Sequence, residues 1–459
     1  MVDSSHIVPG AETVVVGIGI SGLWTLRWLA AQGADVVVSD SEKLSRLSPE
    51  TLNEIRSLGA RLETGGHRTE TFLRAGKIIV SPGVPLDIEP LRAASEKGIP
   101  VMGELEFASR LVDIPIIAVT GTNGKSTVTA LIGEMIERAG LRVFVGGNIG
   151  LPLIAYAAGK WSADYAVVEV SSFQLDTTEN FCPFISLLLN ISPDHLERYA
   201  DYGAYVNSKL RIFRNQGKGD YMILNDDDAL LRALVPETEA DVLRYGFEKR
   251  MGRHSYFEQG DVRAGVRQDG MERFTAGSFK LPGHHNRENL LAGVLAGMVI
   301  GIDKAAIQET IDDFRGLSHR LEFVGELDGV RFYDDSKATN VDAAVRALES
   351  LDTPIILIAG GRHKGADYGA LVEAAGENVK RAVLMGESRD MLAESFEGVI
   401  PYEMAGDMDE AVSLAFSHAE TGDSVLLAPA CSSFDMYSDY GERGRFFMFA
   451  VKRLLNGRK

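Results

Sequence analysis

The chain has 459 residues, 45% hydrophobic and 24% charged, with a mean hydropathy of −0.01, and at about 150 residues per domain this length predicts roughly three globular domains. The formal net charge of −18 disfavours a broad surface for nucleic acid, so we expect no nucleic-acid partner. The two cysteines, Cys182 and Cys431, are far apart in the sequence and exclude a disulfide scaffold. The sequence shows neither a signal peptide nor an apolar run of about 18 residues, so we expect a cytoplasmic protein without a membrane span.

The first predicted elements are a strand, a glycine turn, a helix and a second strand, in the stretch TVVVGIGISGLWTLRWLAAQGADVVVSD. Gly17, Gly19 and Gly22 match G-x-G-x-x-G, and Asp40 lies near the distance of about 20 residues at which an acid contacts a ribose. Taken alone, this fingerprint favours a nicotinamide or flavin enzyme no more than a tight turn that binds nothing or another nucleotide.

A second glycine loop follows in AVTGTNGKST, residues 118–127. Val119 stands where the Walker A template has its first glycine, but a short apolar strand before the loop and an amphipathic helix after it supply the context of a phosphate site. Lys125 would reach the terminal phosphates of ATP, and Ser126 or Thr127 would hold a metal ion. The competing interpretation is a chance glycine turn with a solvated lysine.

The remaining segments alternate buried-type strands with helical patterns. YAVVEVSS, FISLLLNIS and YMILND predict a mostly parallel sheet, residues 254–282 a small antiparallel excursion, and Asp328-Gly329 a hairpin. PIILIAGG, RAVLMG and SVLLAPA predict a further α/β unit. We therefore expect an α/β protein of three domains: an N-terminal Rossmann-like domain (1–104), a central P-loop domain with a parallel sheet (105–317) and a C-terminal α/β Rossmann-like domain (318–459).

Eight short motifs occur in order across the three segments: GTNGKST, GGNIG (146–150), EVSSFQLD (169–176), SPDHLERY (192–199), SKLRIF (208–213), LPGHHNREN (281–289), LSHRLE (317–322) and DSKATN (335–340). In these motifs the chain resembles the Mur ligase family over nearly its whole length. DSKATN, SSFQL and the late PACSSFD are similar to the branch of that family that adds D-glutamate.

The resemblance implies a ligase of peptidoglycan precursor synthesis, a cytoplasmic process that serves cell shape and cell division. Such an enzyme would activate the L-alanyl carboxylate of UDP-N-acetylmuramoyl-L-alanine with ATP, and D-glutamate would then attack the acyl phosphate. Every step gathers negative charge, so the resemblance also implies two Mg²⁺ sites. We expect a monomer.

Individual residues at the reaction centre receive roles from the same resemblance. Lys125 would stabilise the transferring γ-phosphoryl group, and Lys209 would be a carbamate whose oxygens bind the second Mg²⁺. The metal ligands would be Ser126, Glu169, His195 and the carbamate on Lys209. ATP would contact the loop residues Gly121, Thr122, Asn123, Gly124, Lys125, Ser126 and Thr127, and also Asn286 at the adenine, Arg320 at the phosphates and Asp335 at the ribose.

The two other substrates would lie on further motifs. D-Glutamate would meet Lys337, Thr339, Lys364 and Ser433, with the backbone around Tyr440. The UDP substrate would meet Gly19, Ser21, Ser41, Ser81, Gly83 and Asn148. Glu42 departs from the basic residue expected beside the uracil, so contacts to the base follow less directly from the family pattern.

Each assignment has a structural alternative. Glu169 could be a strand-end acid bonded to a turn, His195 a structural histidine and Lys209 a solvated helix lysine. Asn286 could cap a helix, Arg320 could be a surface cation and Asp335 could cap a strand end.

Three other functions compete with the leading interpretation: a folate-polyglutamating ligase, a dinucleotide-dependent oxidoreductase and a non-catalytic nucleotide sensor. Ligand-dependent ATP hydrolysis separates both ligases from the oxidoreductase. DSKATN and a UDP-sized pocket separate the two ligases from each other.

Overall fold

The computed structural model describes residues 11–159, 161–192, 198–234, 236–363 and 367–456. Three sheets organise these residues, and each is largely parallel with helices in the connections, as the α/β prediction requires. The sheets lie in two compact units: one runs to Ser278 and takes up Glu288–Asp312, and the other contains Phe279–Arg287 and the chain from Asp313 onward. Among the described residues, no helix combines the length and the apolar character that crossing a bilayer requires.

The N-terminal sheet has five parallel strands in the order β3-β2-β1-β4-β5. Chain order reverses between β1 and β4, and the carboxyl ends of such strands form the usual ligand crevice of an open α/β sheet. Its elements are β1 (Thr13–Val16), α1 (Ile20–Ala31), β2 (Val36–Ser39), α2 (Pro49–Ser57), β3 (Arg61–Glu63), α3 (Thr69–Arg74), β4 (Lys77–Val80), α4 (Glu89–Glu96), β5 (Val101–Gly103) and α5 (Glu104–Ser109).

The central sheet has nine strands in the order β14-β13-β12-β11-β10-β9-β6-β8-β7. The strands from β12 to β14 pair antiparallel, so the excursion predicted for residues 254–282 is confirmed. The elements are β6 (Ile116–Thr120), α6 (Lys125–Arg138), β7 (Val143–Gly147), α7 (Leu153–Ala158), β8 (Tyr165–Glu169), α8 (Ser172–Leu175), β9 (Ile185–Leu188), α9 (Tyr202–Leu210), β10 (Tyr221–Asn225), α10 (Ala229–Ala233), β11 (Asp241–Tyr245), β12 (Arg253–Glu258), β13 (Asp261–Ala264), β14 (Glu272–Phe274), α11 (His284–Ile300) and α12 (Lys304–Asp313).

Strand order in the central sheet positions the candidate site. β6 lies between β8 and β9, and all three run parallel. The glycine loop after β6, Glu169 at the end of β8 and Asn190 just after β9 therefore meet at one edge. The three strands are almost entirely buried and mainly apolar, so the polar groups collect where the strands end.

The C-terminal sheet has the order β15-β16-β20-β17-β18-β19, and only β15 pairs antiparallel. The predicted hairpin is confirmed, because Asp328 and Gly329 both adopt left-handed backbone angles between β15 and β16. The elements are β15 (Glu322–Leu327), β16 (Val330–Asp334), α13 (Val341–Glu349), β17 (Ile355–Gly360), α14 (Gly369–Asn378), β18 (Val379–Met385), α15 (Arg389–Phe396), β19 (Tyr402–Met404), α16 (Met408–Ser417), β20 (Ser424–Leu427) and α17 (Tyr440–Asn456).

Candidate active site

The glycine loop joins β6 to α6 as a tight, braced turn. Gly124 has φ 82°, and a Cβ there would lie 2.2 Å from Oδ1 of Asn289, so only glycine fits without displacement. Asn190 fastens the loop: the N–H of Asn123 donates to its Oδ1 at 2.9 Å and the N–H of Thr122 donates to its carbonyl at 3.0 Å. The loop therefore stands directly at the N-terminus of a 14-residue helix, where an anion is favoured.

Ser126 and Glu169, two of the predicted metal ligands, lie in contact. The Ser126 hydroxyl donates to Oε2 of Glu169, and both side chains are buried. Oε1 of Glu169 accepts from the amide of Asn148 at 2.9 Å. These are hard oxygen donors beside the glycine loop, the donor type that Mg²⁺ prefers, so the residues fit the metal.

Asn148 was expected at the UDP substrate, but its contacts are with the central site. Its main-chain N–H donates to the carbonyl of Glu169 at 2.8 Å, in addition to the side-chain bond. The cause is local pairing: Gly147 lies opposite Glu169 in β7 and β8, and a Cβ at Gly147 would come within 2.3 Å of the Glu169 carbonyl. Asn148 therefore lies beside Glu169 at the central site.

Lys125 and Lys209 share one acceptor in the loop. The ammonium of Lys125 donates to the carbonyls of Gly121 and Thr122, at 3.0 and 2.8 Å, and that of Lys209 donates to Gly121 at 2.8 Å. Lys209 is only 2% exposed. Burial contradicts the interpretation of Lys209 as a solvated helix lysine, and the partly buried Lys125 contacts the same glycine loop.

Helix α9 explains how Lys209 comes to be buried. The side chain of Asp201 caps its N-terminus, and its inward face consists of Tyr205, Ser208 and Lys209, at i, i+3 and i+4. The hydroxyl of Tyr205 lies 3.1 Å from Oγ1 of Thr122 in the loop. Helix α9 therefore packs Tyr205 into a hydrophobic core and brings the Lys209 ammonium to the glycine loop.

Part of the SPDHLERY motif falls outside the described residues, including His195. Arg198, which follows, stacks its guanidinium 3.9 Å from the ring centroid of Phe173. The same group donates to the carbonyls of Pro82 and Val84, at 3.4 and 3.2 Å. This arginine therefore ties the central sheet to the Ser81-Pro82-Gly83 turn of the N-terminal sheet.

Glycines allow the chain to pack closely in the turn after β1, at the N-terminal crevice. A Cβ at Gly22 would lie 1.9 Å from the carbonyl of Gly17, and one at Gly17 would lie 3.0 Å from Cβ of Ser81. Gly19 precedes α1 without a side-chain cap. The carboxylate of Asp40 accepts from the N–H groups of Ile18 and Glu42, at 2.6 and 2.8 Å, so it braces the turn.

The predicted residues of this crevice surround its carboxyl edge. Ser81 donates to the Gly17 carbonyl at 3.2 Å, Gly83 follows in the same turn, and Ser41 follows β2. Ser21 lies in the first turn of α1. Backbone N–H groups at the start of a helix suit a diphosphate.

In the C-terminal unit, Arg320 and Asp335 are brought together. Burial raises the pKa of Asp335 to about 7, against the opposing effects of the Arg320 guanidinium and a hydrogen bond from the Leu321 N–H. Arg320 lies between two residues with left-handed backbone angles, His319 at φ 63° and Leu321 at φ 46°. Neither Arg320 nor Asp335 is fully exposed, so the surface-cation alternative for Arg320 is not favoured.

Asn286 lies in the first turn of α11. Its amide donates to the carbonyl of Pro282 at 2.7 Å, and the residue is buried. This bond is of the local kind that the helix-cap alternative anticipated, so the contact with adenine stays a prediction.

The residues expected at the acceptor amino acid line one edge of the C-terminal sheet, where β16, β20 and β17 end side by side. The ammonium of Lys337 lies 4.0 Å from the ring centroid of Tyr440, and Thr339 donates through its N–H to the Lys337 carbonyl at 2.7 Å. Ser433 is buried in the loop after β20. Lys364 lies outside the described residues.

Sequence reasoning missed several residues that hold this edge. Asp334, fully buried, bonds Nδ1 of His319 at 2.7 Å and raises its pKa. Arg443, 2% exposed, donates to the carbonyls of Ser336 and Cys431 at 2.9 and 3.1 Å, and makes no ion pair with any residue that the structure describes. The adjacent aspartates of DDSKATN were the available signal for Asp334, whereas nothing local marks Arg443.

Three family models match the chain in order. The N-terminal domain of MurD-like Mur ligases matches residues 11–103, the Mur ligase middle domain residues 119–297, and the glutamate ligase domain of Mur ligases residues 319–431.

Known relatives match over almost the full length. The UDP-N-acetylmuramoylalanine–D-glutamate ligase of Desulfosudis oleivorans is 46% identical over 97% of each chain. That of Geotalea daltonii is 40% identical over 98% of this chain and 99% of its own.

Solved structures share the fold at lower identity. The UDP-N-acetylmuramate–alanine ligase of Thermotoga maritima aligns with a TM-score of 0.58 at 20% identity, over 97% of this chain and 100% of its own. A pseudomurein peptide ligase type C from Methanothermus fervidus gives 0.57 at 19%, with the same coverage. The identity and coverage of the relatives and the order of the three models show that the chain belongs to the Mur ligase family.

Proposed function

We propose that the chain is an ATP-dependent ligase that joins D-glutamate to UDP-N-acetylmuramoyl-L-alanine in peptidoglycan precursor synthesis. The observation that carries the proposal is the convergence of Lys125, Lys209, Ser126 and Glu169 on one glycine loop. The substrate assignment follows relatives that match over nearly the full chain and carry the name of this D-glutamate ligase, among them those of Desulfosudis oleivorans and Geotalea daltonii.

ATP binds with its phosphates on residues 121–127. The ammonium of Lys125 leaves the loop carbonyls for the γ-phosphate, where it offsets the charge that accumulates as the phosphoryl group moves to the L-alanyl carboxylate. Ser126 and Glu169 would hold Mg²⁺, and the ion would neutralise phosphate charge. Asn286 meets the adenine, Arg320 the phosphates and Asp335 the ribose.

Lys209 acts as a carbamate. Its uncharged amine attacks carbon dioxide, forms an N–C bond and releases one proton, which leaves an anionic carboxylate on the side chain. Lys209 is buried at the glycine loop, so the carbamate oxygens would lie beside the proposed phosphate site. His195 and the carbamate oxygens would hold the second Mg²⁺.

The UDP moiety occupies the N-terminal crevice, with its diphosphate at the start of α1. Gly19, Ser21 and the Ser81-Pro82-Gly83 turn contact the phosphates, and Ser41 contacts the nucleoside. Asn148 contacts the sugar-peptide end from beside Glu169, where that end meets ATP. The domain limits are 1–104, 105–317 and 318–459.

D-Glutamate occupies the edge of the C-terminal sheet. Lys337 and Lys364 neutralise its two carboxylates, and Thr339 and Ser433 fix them by hydrogen bonds. The amine then attacks the acyl phosphate, an amide bond forms and inorganic phosphate leaves. The enzyme works in the cytoplasm as a monomer.

An oxidoreductase is disfavoured because the carboxylate of Asp40 already accepts the N–H of Ile18 in the glycine turn and that of Glu42 in its own loop, which leaves it less suited to a ribose. A folate-polyglutamating ligase is disfavoured by the names of the full-length relatives.

The proposal is tested by product formation with ATP, UDP-N-acetylmuramoyl-L-alanine and a panel of amino acids. D-Glutamate should be the preferred acceptor, and L-glutamate, L-alanine and L-lysine should be poor, because the wrong handedness leaves buried charged groups unpaired. Best use of L-alanine would contradict the assignment within the family, and a folate acceptor for glutamate would contradict it altogether.

A further inference from the structure

Two loops at the edge of the C-terminal sheet are joined by their backbones. They follow the neighbouring strands β17 and β20 and contain Arg362 and Ser432. The N–H of Arg362 donates to the Ser432 carbonyl at 2.8 Å, and the reverse bond is 3.2 Å. A Cβ at Gly361 would lie 2.2 Å from the Ser432 carbonyl, so glycine is required for this approach.

A chain of side-chain hydrogen bonds runs beneath these loops. The Tyr368 hydroxyl lies 2.9 Å from Nδ1 of His363 and 3.1 Å from Sγ of Cys431, whose sulfur lies 3.2 Å from Oγ of Ser388. Tyr368, Cys431 and Ser388 are all buried. One phenol therefore bonds both loops, His363 on the first and Cys431 on the second.

The hydroxyl is suited to hold this geometry. Burial raises the pKa of Tyr368, so the group stays a neutral phenol with one proton to donate and lone pairs to accept. His363 and Cys431 each lose a buried partner if the oxygen is removed, since water does not replace it freely at a 4% exposed residue. The ring itself packs in the core that also contains Leu371 and Ala430.

We propose that the Tyr368 hydroxyl is a positioning group for the acceptor amino acid. It fixes the loop after β17 against the loop that carries Ser433, two residues beyond Cys431, and so sets where the Ser433 hydroxyl meets a substrate carboxylate. The proposal rests on the proposed function, in which Ser433 binds D-glutamate. Arg320, just before β15, and Asp335, just after β16, are the residues proposed for ATP, and both lie outside these two loops. We therefore expect the effect to be confined to the acceptor.

The test compares Tyr368→Phe with Tyr402→Phe. Tyr402 packs against the same core but lies at the start of β19, at the opposite end of its strand from the loops. Tyr368→Phe should raise the KM for D-glutamate roughly tenfold, while kcat and the KM values for ATP and the UDP substrate stay within about twofold. Tyr402→Phe should change none of them.

Cys431 supplies a second, coupled measurement. Cys431→Val should also raise the KM for D-glutamate. In the double variant Tyr368→Phe/Cys431→Val, the rise in KM should be smaller than the product of the two single rises, because both substitutions break the same Tyr368–Cys431 hydrogen bond. Cys431→Ser, which keeps a hydrogen-bonding atom, should restore most of the affinity.

The outcomes separate the two levels of the account. An unchanged KM for D-glutamate in Tyr368→Phe, with normal turnover by the parent protein, overturns the positioning role alone. So does a uniform fall in kcat with lower thermal stability and unchanged KM, which is the signature of a merely structural tyrosine. A parent protein without D-glutamate-dependent turnover overturns the proposed function as well.

Discussion

Replacing Lys125 with alanine should abolish most turnover while leaving the fold almost intact. In the structure its ammonium donates to the carbonyls of Gly121 and Thr122, and the Gly121 carbonyl keeps Lys209 as a donor. The carbonyl of Thr122, a residue only 7% exposed, then loses one donor, at a cost of about 1 kcal/mol in unfolding free energy. Loss of a preorganised cation facing a transferring phosphoryl group costs about 3–4 kcal/mol in the barrier, or 100-fold or more in kcat.

The assay is ADP release with saturating ATP, UDP-N-acetylmuramoyl-L-alanine and D-glutamate, beside a thermal melt of the same preparation. Lys249→Ala is the matched control, because Lys249 is an exposed lysine that pairs with Glu258 on the surface. Turnover by Lys125→Ala within threefold of the parent would refute the reasoning. An equal loss in Lys249→Ala would refute it too, since the effect would then be one of net charge.

Three further predictions follow from the geometry. Gly124→Ala should raise the KM for ATP and lower the melting temperature. Gly140→Ala, also at positive φ but with no atom within 4 Å of the new Cβ, should lower only the melting temperature. Equal KM values for ATP in the two variants would contradict the argument that the Gly124 loop has no room for a side chain. Lys209→Ala should lose most activity and regain part of it when acetate or formate is titrated at constant ionic strength, because these anions replace the carbamate oxygens; a flat response would contradict the carbamate. Glu104, fully buried with Oε2 lacking a hydrogen-bond partner among the described residues, has its pKa raised by burial to about 7. Since the folded state then holds a proton that the unfolded state has released, its contribution to the unfolding free energy falls as pH rises from about 4.5 to about 7. Urea unfolding at a series of pH values should show that Glu104→Gln removes this decrease of the unfolding free energy between about pH 4.5 and about pH 7. The same decrease in parent and variant would contradict the raised pKa of Glu104.

The glycine loop was predictable because all of its information is local. An apolar strand, two glycines at positive φ and a helix follow one another within residues 116–138, and burial on both faces of the sheet fixes the strand. The same holds for the hairpin at Asp328-Gly329, where the turn chemistry determines the register.

Lys209 shows why the remainder of the site was not predictable from pattern alone. Its stripe of Tyr205, Ser208 and Lys209 is polar, and a polar stripe on a helix normally indicates an exposed face. The partner that reverses this is the Gly121 carbonyl, 88 residues earlier in the chain. In the sequence, only the family resemblance indicates a role for Lys209.

Asn148 illustrates a second limit, that of strand order. The motif indicated a substrate contact, but its position beside Glu169 depends on β7 pairing with β8 at the far edge of the sheet. The order of strands in a crossover sheet is set by packing of the whole domain, which no short motif encodes. Asp334 and Arg443 belong to the same class, since each acquires its role from loops distant in sequence.

The central claim is that this chain makes an amide bond through an acyl phosphate on the UDP substrate. The most direct measurement uses UDP-N-acetylmuramoyl-L-alanine with ¹⁸O in the alanyl carboxylate, and follows the isotope by mass spectrometry during D-glutamate-dependent turnover. The account predicts one ¹⁸O transferred to inorganic phosphate for each amide formed, with one ADP released. ADP release without ¹⁸O in the phosphate, or without the amide product, would contradict it.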